Sequence, residues 1–234
     1  MGCVRPRRGR DLASGISRRL AQVASGFLVY AGLLFGSAGR TTWAWGWVLV
    51  AAMLCVVAAN ATVMSPELVA ERGRKKPDAK KWDRVLTRLN VIPYLALPVV
   101  AGLDERWHLS PSPSTAVRLA GLAAFVLGQA LFTWAAASNR YFSTAVRIQL
   151  DRGHTVQTSG PYSFVRHPGY AGAIVATIAT AFILGSWWSL LPAALVAMIL
   201  VVRTALEDRT LRAELHGYRE YALRVRHRLV PGVW

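Results

Sequence analysis

An all-α fold, a polytopic integral membrane bundle of about five to six segments, follows from three features of the sequence. The chain is 53% hydrophobic with nine tryptophans, and its mean hydropathy is +0.31. Its apolar residues gather in blocks of roughly 20, the length that crosses about 30 Å of hydrocarbon as helix, rather than at amphipathic spacing. Lys and Arg collect between the blocks.

The first block runs from about Leu20 to Ala38 and the second from Trp43 to Met64. Only Gly39-Arg40-Thr41-Thr42 separates them, so the two helices are antiparallel neighbours. The stretch from Ser65 to Arg88 is expected as a solvated basic connector with lipid-facing anchors; the competing reading is a short surface helix, because Trp82, Val85, Leu86 and Leu89 recur at helical spacing. A third span, about Leu89 to Leu103, contains Pro93 and Pro98, which imply a kink and carbonyls in need of other partners. An external loop from Asp104 to Ser114 leads to a fourth span, about Leu119 to Ala137.

The uncharged region from Gly169 to Val202 is too long for one ordinary span and short for two. Gly185-Ser186-Trp187-Trp188-Ser189, followed by Pro192, supplies a turn and an interfacial aromatic pair near its middle. The prediction is a C-terminal helical hairpin with arms of about 15 residues, on the order of 23 Å each. After it, Leu206, Leu211, Leu215, Tyr218 and Ala222 share a face of an amphipathic tail helix bent or interrupted at Gly217. Because a hairpin returns the chain to the side it left, Glu207 and Asp208 are expected near His167.

Cytoplasmic loops hold the excess of Lys and Arg. The clusters before the first segment (Arg5, Arg7, Arg8, Arg10, Arg18, Arg19), after the second, after the fourth and in the tail are all separated by even numbers of crossings, which places them and both termini in the cytoplasm. The net charge of +16 is therefore read as topology determinant and attraction to anionic lipid, not nucleic-acid binding, since no groove-reading motif accompanies it. Cys3 and Cys55 offer neither a disulfide framework nor a metal site. The Met1-to-Pro6 opening lacks the Ser or Thr of a myristoylation signal, and the first helix is expected to be retained rather than cleaved. One domain, 1–234, is expected, with residues 1–64 forming a helical pair ahead of residues 65–234.

The chemistry concentrates in Gly160-Pro161-Tyr162-Ser163-Phe164-Val165-Arg166-His167-Pro168-Gly169-Tyr170. Cationic and imidazole side chains beside an apolar run are costly, so they signal a site. Gly160-Pro161 and His167-Pro168 bracket it with restricted backbone. The preceding loop, Asn139 to His154, is longer than a minimal turn and rich in polar side chains, among which Asn139 and Arg147 are candidate substrate contacts. His154, His216 and His227 are read as solvated loop residues, and no trio has metal-ligand spacing.

The pattern G-P-Y-x-x-x-R-H-P-x-Y, with Glu207-Asp208 and the closing Tyr218-x-x-Tyr221-x-x-x-Val225-x-x-x-Leu229-x-Pro231-Gly232, resembles the isoprenylcysteine carboxyl methyltransferase family and its phospholipid N-methyltransferase relatives. Asp151-Arg152-Gly153-His154, Arg72-Gly73 before Lys76-Pro77, and Trp82-Asp83-Arg84 are similar to bacterial members, which implies a bacterial inner membrane. The resemblance covers most of the chain from about Ser65 onward. It implies S-adenosylmethionine as methyl donor on the cytosolic side, held by Tyr162, Arg166, His167, Pro168, Tyr170 and Glu207. Arg166 and Glu207 are the catalytic residues it implies, and Arg147 of the preceding loop is added to them as a catalytic candidate from its place in that loop. This chain has Glu-Asp where many relatives show Glu-Glu, and the shorter second side chain puts a direct role for Asp208 in question.

Residue chemistry agrees with a donor whose methionine end is zwitterionic: its carboxylate suits Arg or backbone N–H groups, and its ammonium suits Glu207. The acceptor stays open among a prenylcysteine-like carboxylate, a thiol and a lipid amine. Two other functions compete, an NADPH-dependent membrane reductase of the sterol reductase type and a non-enzymatic carrier. The carrier is disfavoured by the lack of ionisable residues near mid-membrane.

Overall fold

The computed structural model describes residues 5–234, with side chains from Asp11 onward. The expectations placed on Cys3, on the Met1-to-Pro6 opening and on the side chains of Arg5, Arg7, Arg8 and Arg10 lie outside the described residues. Eight α-helices follow in order: α1 (Arg5–Ala38), α2 (Ala44–Val63), α3 (Pro66–Gly73), α4 (Lys81–Trp107), α5 (Thr115–Ser138), α6 (Pro168–Leu184), α7 (Leu190–Glu214) and α8 (Tyr218–Arg224). Short 3-10 turns cover Leu150–Arg152 and Gly160–Ser163, and no strand occurs among the described residues.

Five helices (α1 from Asp11, α2, α4, α5 and α7) are long and apolar enough to cross a membrane, and α6 is a shorter apolar helix. The protein is a polytopic membrane helical bundle. Its hairpin arms are unequal, a correction to the expected pair of similar length: α6 has 17 residues and α7 has 25. The second arm is longer because Arg203 to Glu214, rich in good helix formers, continues the helix past the apolar run. Gly185 closes α6 with φ +71, a left-handed cap that an L side chain rarely adopts.

The stretch from Ser65 to Arg88 also departs from expectation, since it is neither a solvated connector nor a separate surface helix. Ser65 caps α3 by accepting from the Leu68 N–H at 3.3 Å, and Pro66 takes the first helical position. Leu68, Ala70, Glu71 and Gly73 of α3 are buried. Trp82, Val85, Leu86 and Leu89 then belong to the first turns of α4, which begins at Lys81. Glycines set the α1–α3 spacing: a Cβ at Gly15 would fall 2.7 Å from the Ala70 carbonyl, and one at Gly73 2.9 Å from the Arg19 backbone nitrogen.

Small residues govern the most extensive pairing, α5 with α6, because helices surrounded by lipid gain by close van der Waals packing rather than by a hydrophobic drive. Gly128 and Gly172 face each other so closely that a Cβ on Gly128 would meet the Gly172 carbonyl at 2.7 Å. Tyr30, Leu34, Leu49, Leu97, Phe125 and Ile183 fill the core between these helices and α1, α2 and α4. Pro93 and Pro98 do lie inside α4, and the Ser37 hydroxyl of α1 reaches the Pro98 carbonyl at 3.4 Å.

Alternating helix direction sends the chain to two distinct ends. At one end lie α3, the 139–167 loop, the last turns of α7, and α8. At the other, Asp104 accepts from the Ser110 N–H at 2.7 Å, from the Ser110 hydroxyl at 2.6 Å and from the Ser186 hydroxyl, while Arg40 pairs with Glu105.

Candidate active site

A cavity of about 280 Å³ opens at the first end. The loop between α5 and α6 forms one wall, the start of α6 and the end of α7 form the floor, and α8 closes the side. His167 is the N-cap of α6 and Pro168 its first residue, so the His-Pro pair fixes where the helix begins. The chain end is strapped onto this corner: the Arg166 N–H donates to the His227 carbonyl at 3.0 Å, and the His167 N–H to the Arg228 carbonyl at 2.9 Å.

Asp208 sits at the centre of the corner, its side chain 1% exposed. It accepts from Arg166 Nε at 2.6 Å, Arg212 Nε at 3.0 Å, Arg228 Nε at 3.1 Å and the Tyr218 hydroxyl at 3.0 Å. His167 Nε2 lies 3.5 Å from the same carboxylate. A buried carboxylate costs several kcal/mol to desolvate unless its lone pairs are filled, and here they are filled by charged donors. Far from being the idle partner of the acidic pair, Asp208 is the hub that joins α6, α7, α8 and the tail.

Glu207, the preceding residue, faces the cavity instead. Its Oε2 accepts from the Tyr170 hydroxyl at 2.6 Å. No other hydrogen bond or ion pair to Glu207 occurs among the described residues, so its second oxygen is open. Arg203, one turn earlier, leaves Glu207 alone and binds Asp83 of α4 at 2.6 Å and the Thr144 carbonyl at 3.0 Å, with its guanidinium 5.4 Å from the Tyr170 ring centre. Asp83 is completed by the Val146 N–H at 2.8 Å, which ties the wall loop to α4. Thus the two adjacent acids differ in kind, one closed by its surroundings and one available.

The structure brings Tyr162, Arg166, His167, Tyr170, Glu207 and Arg147 to the lining of this one cavity, and Pro168 to the buried first turn beneath it. Arg166, however, has its guanidinium already occupied: besides Asp208 it donates to the Val225 and Arg226 carbonyls, both at 2.7 Å. With its side chain 2% exposed, it braces the corner rather than presenting a free cation to a ligand. Tyr162 accepts from the Asn139 side-chain amide at 3.3 Å, and its own carbonyl receives the Tyr221 hydroxyl at 2.7 Å. Burial first, and for Tyr218 the nearby Asp208 and Glu207 charges, hold the phenols of Tyr162, Tyr218 and Tyr221 above their ordinary value, so all three remain neutral.

Arg147 connects the wall loop to α3 by pairing with Glu71 at 3.0 Å, and it also binds Asp78 in the segment after α3 at 2.7 Å and Asp151 of its own loop at 3.1 Å. Its Nε–H is buried without an acceptor among the described residues. Burial alone would raise the Glu71 carboxyl, but hydrogen bonds from Lys76 and Arg147 outweigh it and hold it below the usual carboxylate range. His154 stacks on Tyr141 at 4.5 Å between ring centres and takes the Gln149 N–H on Nδ1 at 3.3 Å, so it is a packed wall residue and not the solvated one expected. Burial, with the charges of Arg147 and Arg152, lowers it to about 4. Among the described residues no cluster of His, Cys, Asp and Glu has the arrangement to hold a metal.

Sequence reasoning missed Asp83, Tyr218 and Arg203 as parts of this corner. Their signal was present but indirect: an aspartate and an arginine at opposite ends of the sequence, each next to an apolar span, have to neutralise one another.

The isoprenylcysteine carboxyl methyltransferase (ICMT) family matches this chain over residues 120–213. The chain is ICMT-like. That segment begins in α5 and ends in α7, so it takes in the wall loop, the His-Pro corner and both acids, while Tyr218, Tyr221 and the C-terminal strap lie beyond it. Among curated proteins, "Protein-S-isoprenylcysteine O-methyltransferase B" of Arabidopsis thaliana is 28% identical over 147 residues, covering 58% of this chain and 68% of that relative. Both ICMT-like matches favour methyl transfer over the reductase alternative.

Proposed function

We propose that this protein is a membrane-embedded methyltransferase that uses S-adenosylmethionine from the cytosolic side to methylate a lipophilic or small acceptor. Glu207 carries the reading. It is the acid on the cavity wall with an unfilled oxygen, and it sits where a cationic ammonium would be received by a charge-assisted bond. Tyr170 orients it, and the closed Asp208 network keeps the wall beneath it rigid. The cavity, about 280 Å³, stands near the lower end of the roughly 300–1,000 Å³ typical of small-ligand sites.

S-adenosylmethionine, when bound, supplies an electrophilic methyl on a sulfonium centre. Glu207 would hold its ammonium, the rings of His167 and Tyr170 would flank it, and the buried Nε–H of Arg147 would donate to an anionic oxygen. Arg166 acts through Asp208 and the tail carbonyls, as a positioning residue. The neutral tyrosines and packed His154 line the cavity without adding a charge, which suits a reaction in which positive charge is lost from the donor. A carboxylate or thiolate acceptor requires no base, whereas an amine would have to lose a proton. The positive-inside bias of Lys and Arg supports a cytosolic location for this end, and with it cytosolic termini in a bacterial inner membrane.

Transfer of labelled methyl from S-adenosylmethionine to a panel of carboxylate, thiol and amine amphiphiles tests the reading. Transfer to at least one class, reduced at least about tenfold by Glu207→Gln as loss of a charged hydrogen bond requires, is the expected result. Tight NADPH binding without methyl transfer would replace it with the reductase reading.

A further inference from the structure

Asp208 is held by more cations than it can balance. Its Oδ2 alone accepts from Arg166 Nη2 at 3.2 Å, Arg212 Nε at 3.0 Å and Arg228 Nε at 3.1 Å. No second carboxylate lies within salt-bridge distance of these arginines among the described residues, so three guanidinium groups share one negative charge. Arg166 is sealed inside, with its Nη1 on the Val225 and Arg226 carbonyls. The surplus therefore falls on Arg212 and Arg228, whose side chains are 42% and 30% exposed. Their terminal N–H groups meet no acceptor among the described residues.

The two forks are arranged rather than loose. Both Nε–H groups converge on one oxygen, which sets the guanidinium groups side by side. The Trp234 ring centre lies 4.7 Å from the Arg228 guanidinium and covers one of its faces. Arg212, in the last turn of α7, is tied to α8 through its carbonyl, which accepts from Arg219 Nε at 2.8 Å. Arg219 thus brings a further cation that no carboxylate offsets among the described residues. The pair stands outside the polar cavity, since neither arginine lines it. In this it differs from Arg72 and Arg19, which also pair with no carboxylate among the described residues but line cavities within the bundle. On the strap beside Arg228, Val230 and Val233 are 50% and 79% exposed. Guanidinium N–H pairs fit phosphate oxygens, and exposed apolar side chains enter the acyl boundary of a membrane, so the two together match a phosphate group that carries acyl chains.

We propose that Arg212 and Arg228 form a receiver for the phosphate group of an anionic phospholipid, on the outer side of the Asp208 hub. This goes beyond the methyltransferase reading and does not rest on it. A phosphodiester brings the negative charge that Asp208 does not supply, and its oxygens take the free N–H groups of both forks. A zwitterionic head is a poorer match, because its ammonium returns a like charge to the cluster. The Arg228 carbonyl also holds the His167 N–H at 2.9 Å, so occupancy steadies the strap against the first turn of α6.

The test measures binding of radiolabelled dioctanoyl phosphatidylglycerol, dioctanoyl phosphatidylcholine and inorganic phosphate to the full chain in maltoside detergent, all at one ionic strength. The wild type is expected to bind phosphatidylglycerol saturably and more tightly than phosphatidylcholine by about fivefold or more, as one net charge near a cationic surface implies. Arg212→Gln and Arg228→Gln should each weaken phosphatidylglycerol by at least about tenfold, the loss of a charged hydrogen bond. Arg212→Lys, which keeps the charge and loses the fork, should weaken it less. Arg18→Gln removes an equal charge from an exposed position on α1, which packs on α3 and α4, and should leave affinity within about twofold. Should a Gln variant lose its cooperative melt, Arg212→Lys decides, since it has to bind more weakly than both the wild type and Arg18→Gln. Phosphatidylglycerol should also slow amide exchange in the peptide containing His167 in the wild type and not in Arg228→Gln. Equal weakening in Arg18→Gln would reduce the receiver to general surface attraction and overturn it, as would a wild type without head-group preference. Inorganic phosphate binding as tightly as the lipid would overturn the lipid assignment, and unchanged exchange at His167 would overturn the link to the α6 corner. No outcome depends on S-adenosylhomocysteine, so failure of the methyltransferase reading would leave the receiver standing.

Discussion

The two ends of the helix bundle are built from similar residues and treat them differently. At the end carrying Asp104, the polar groups are closed on one another: the carboxylate takes three donors from Ser110 and Ser186, and Arg40 meets Glu105. At the opposite end the same economy holds for Asp208 and Asp83 but stops short for Glu207, Arg72, Arg19 and the Nε–H of Arg147. Of these only the Arg147 Nε–H is fully buried and unpaired; Glu207, Arg72 and Arg19 are half-buried and line the cavities. Closed networks hold the frame, and the proposed function places the ligand at the open groups.

That contrast breaks first at Asp208. Asp208→Asn removes the charge shared by three arginines and is expected to cost about 3–5 kcal/mol of stability, the loss typical of a broken buried pair. For a chain of this size that is a fall of roughly 6–20 °C in Tm, measured by thermal scanning in detergent. A Tm unchanged within error would mean that the hub is not structural. Glu207→Gln, one residue away, should do the reverse, leaving Tm in place and weakening S-adenosylhomocysteine binding by about 1.5–3 kcal/mol, the worth of a charge-assisted bond.

At the far end, Ser186→Ala deletes one donor to Asp104 and is expected to cost about 1 kcal/mol of stability with no effect on either ligand. A change in S-adenosylhomocysteine affinity there would blur the division between the ends. A pH-dependent effect concerns His154, which is partly exposed to solvent. Its folded value of about 4 lies below its ordinary one, so the unfolded chain binds more protons in the window between them. Stability contributed by neutral His154 is therefore present at neutral pH and is lost as pH falls from about 6.5 toward 4. His154→Phe, which keeps the stack on Tyr141, should flatten that part of the stability profile.

Much of the architecture was legible because the bilayer imposes length on apolar blocks. The spans, the turn at Gly185 and the break at Gly217 all followed from hydropathy and glycine. What escaped was local order in charged segments. The stretch from Ser65 to Arg88 read as solvated because it is dense in charged residues such as Arg72, Arg74, Lys75 and Lys76, yet Glu71 within it is buried by its ion pairs with Lys76 and Arg147. The first half of α1 was missed for the same reason. At the site, the convergence of the His-Pro corner with the acidic pair was predictable from the hairpin alone. The division of labour between Glu207 and Asp208 was not, because it depends on which acid points at Arg166, and adjacent helix residues differ in direction by about 100°.

Titration of S-adenosylhomocysteine into the purified wild type, Glu207→Gln and Asp104→Asn separates the two ends in one experiment. Saturable one-to-one binding by the wild type, a loss of at least about tenfold in Glu207→Gln, and wild-type affinity in folded Asp104→Asn are expected. Equal affinity in all three, or no binding by a folded wild type, would overturn the role given to Glu207.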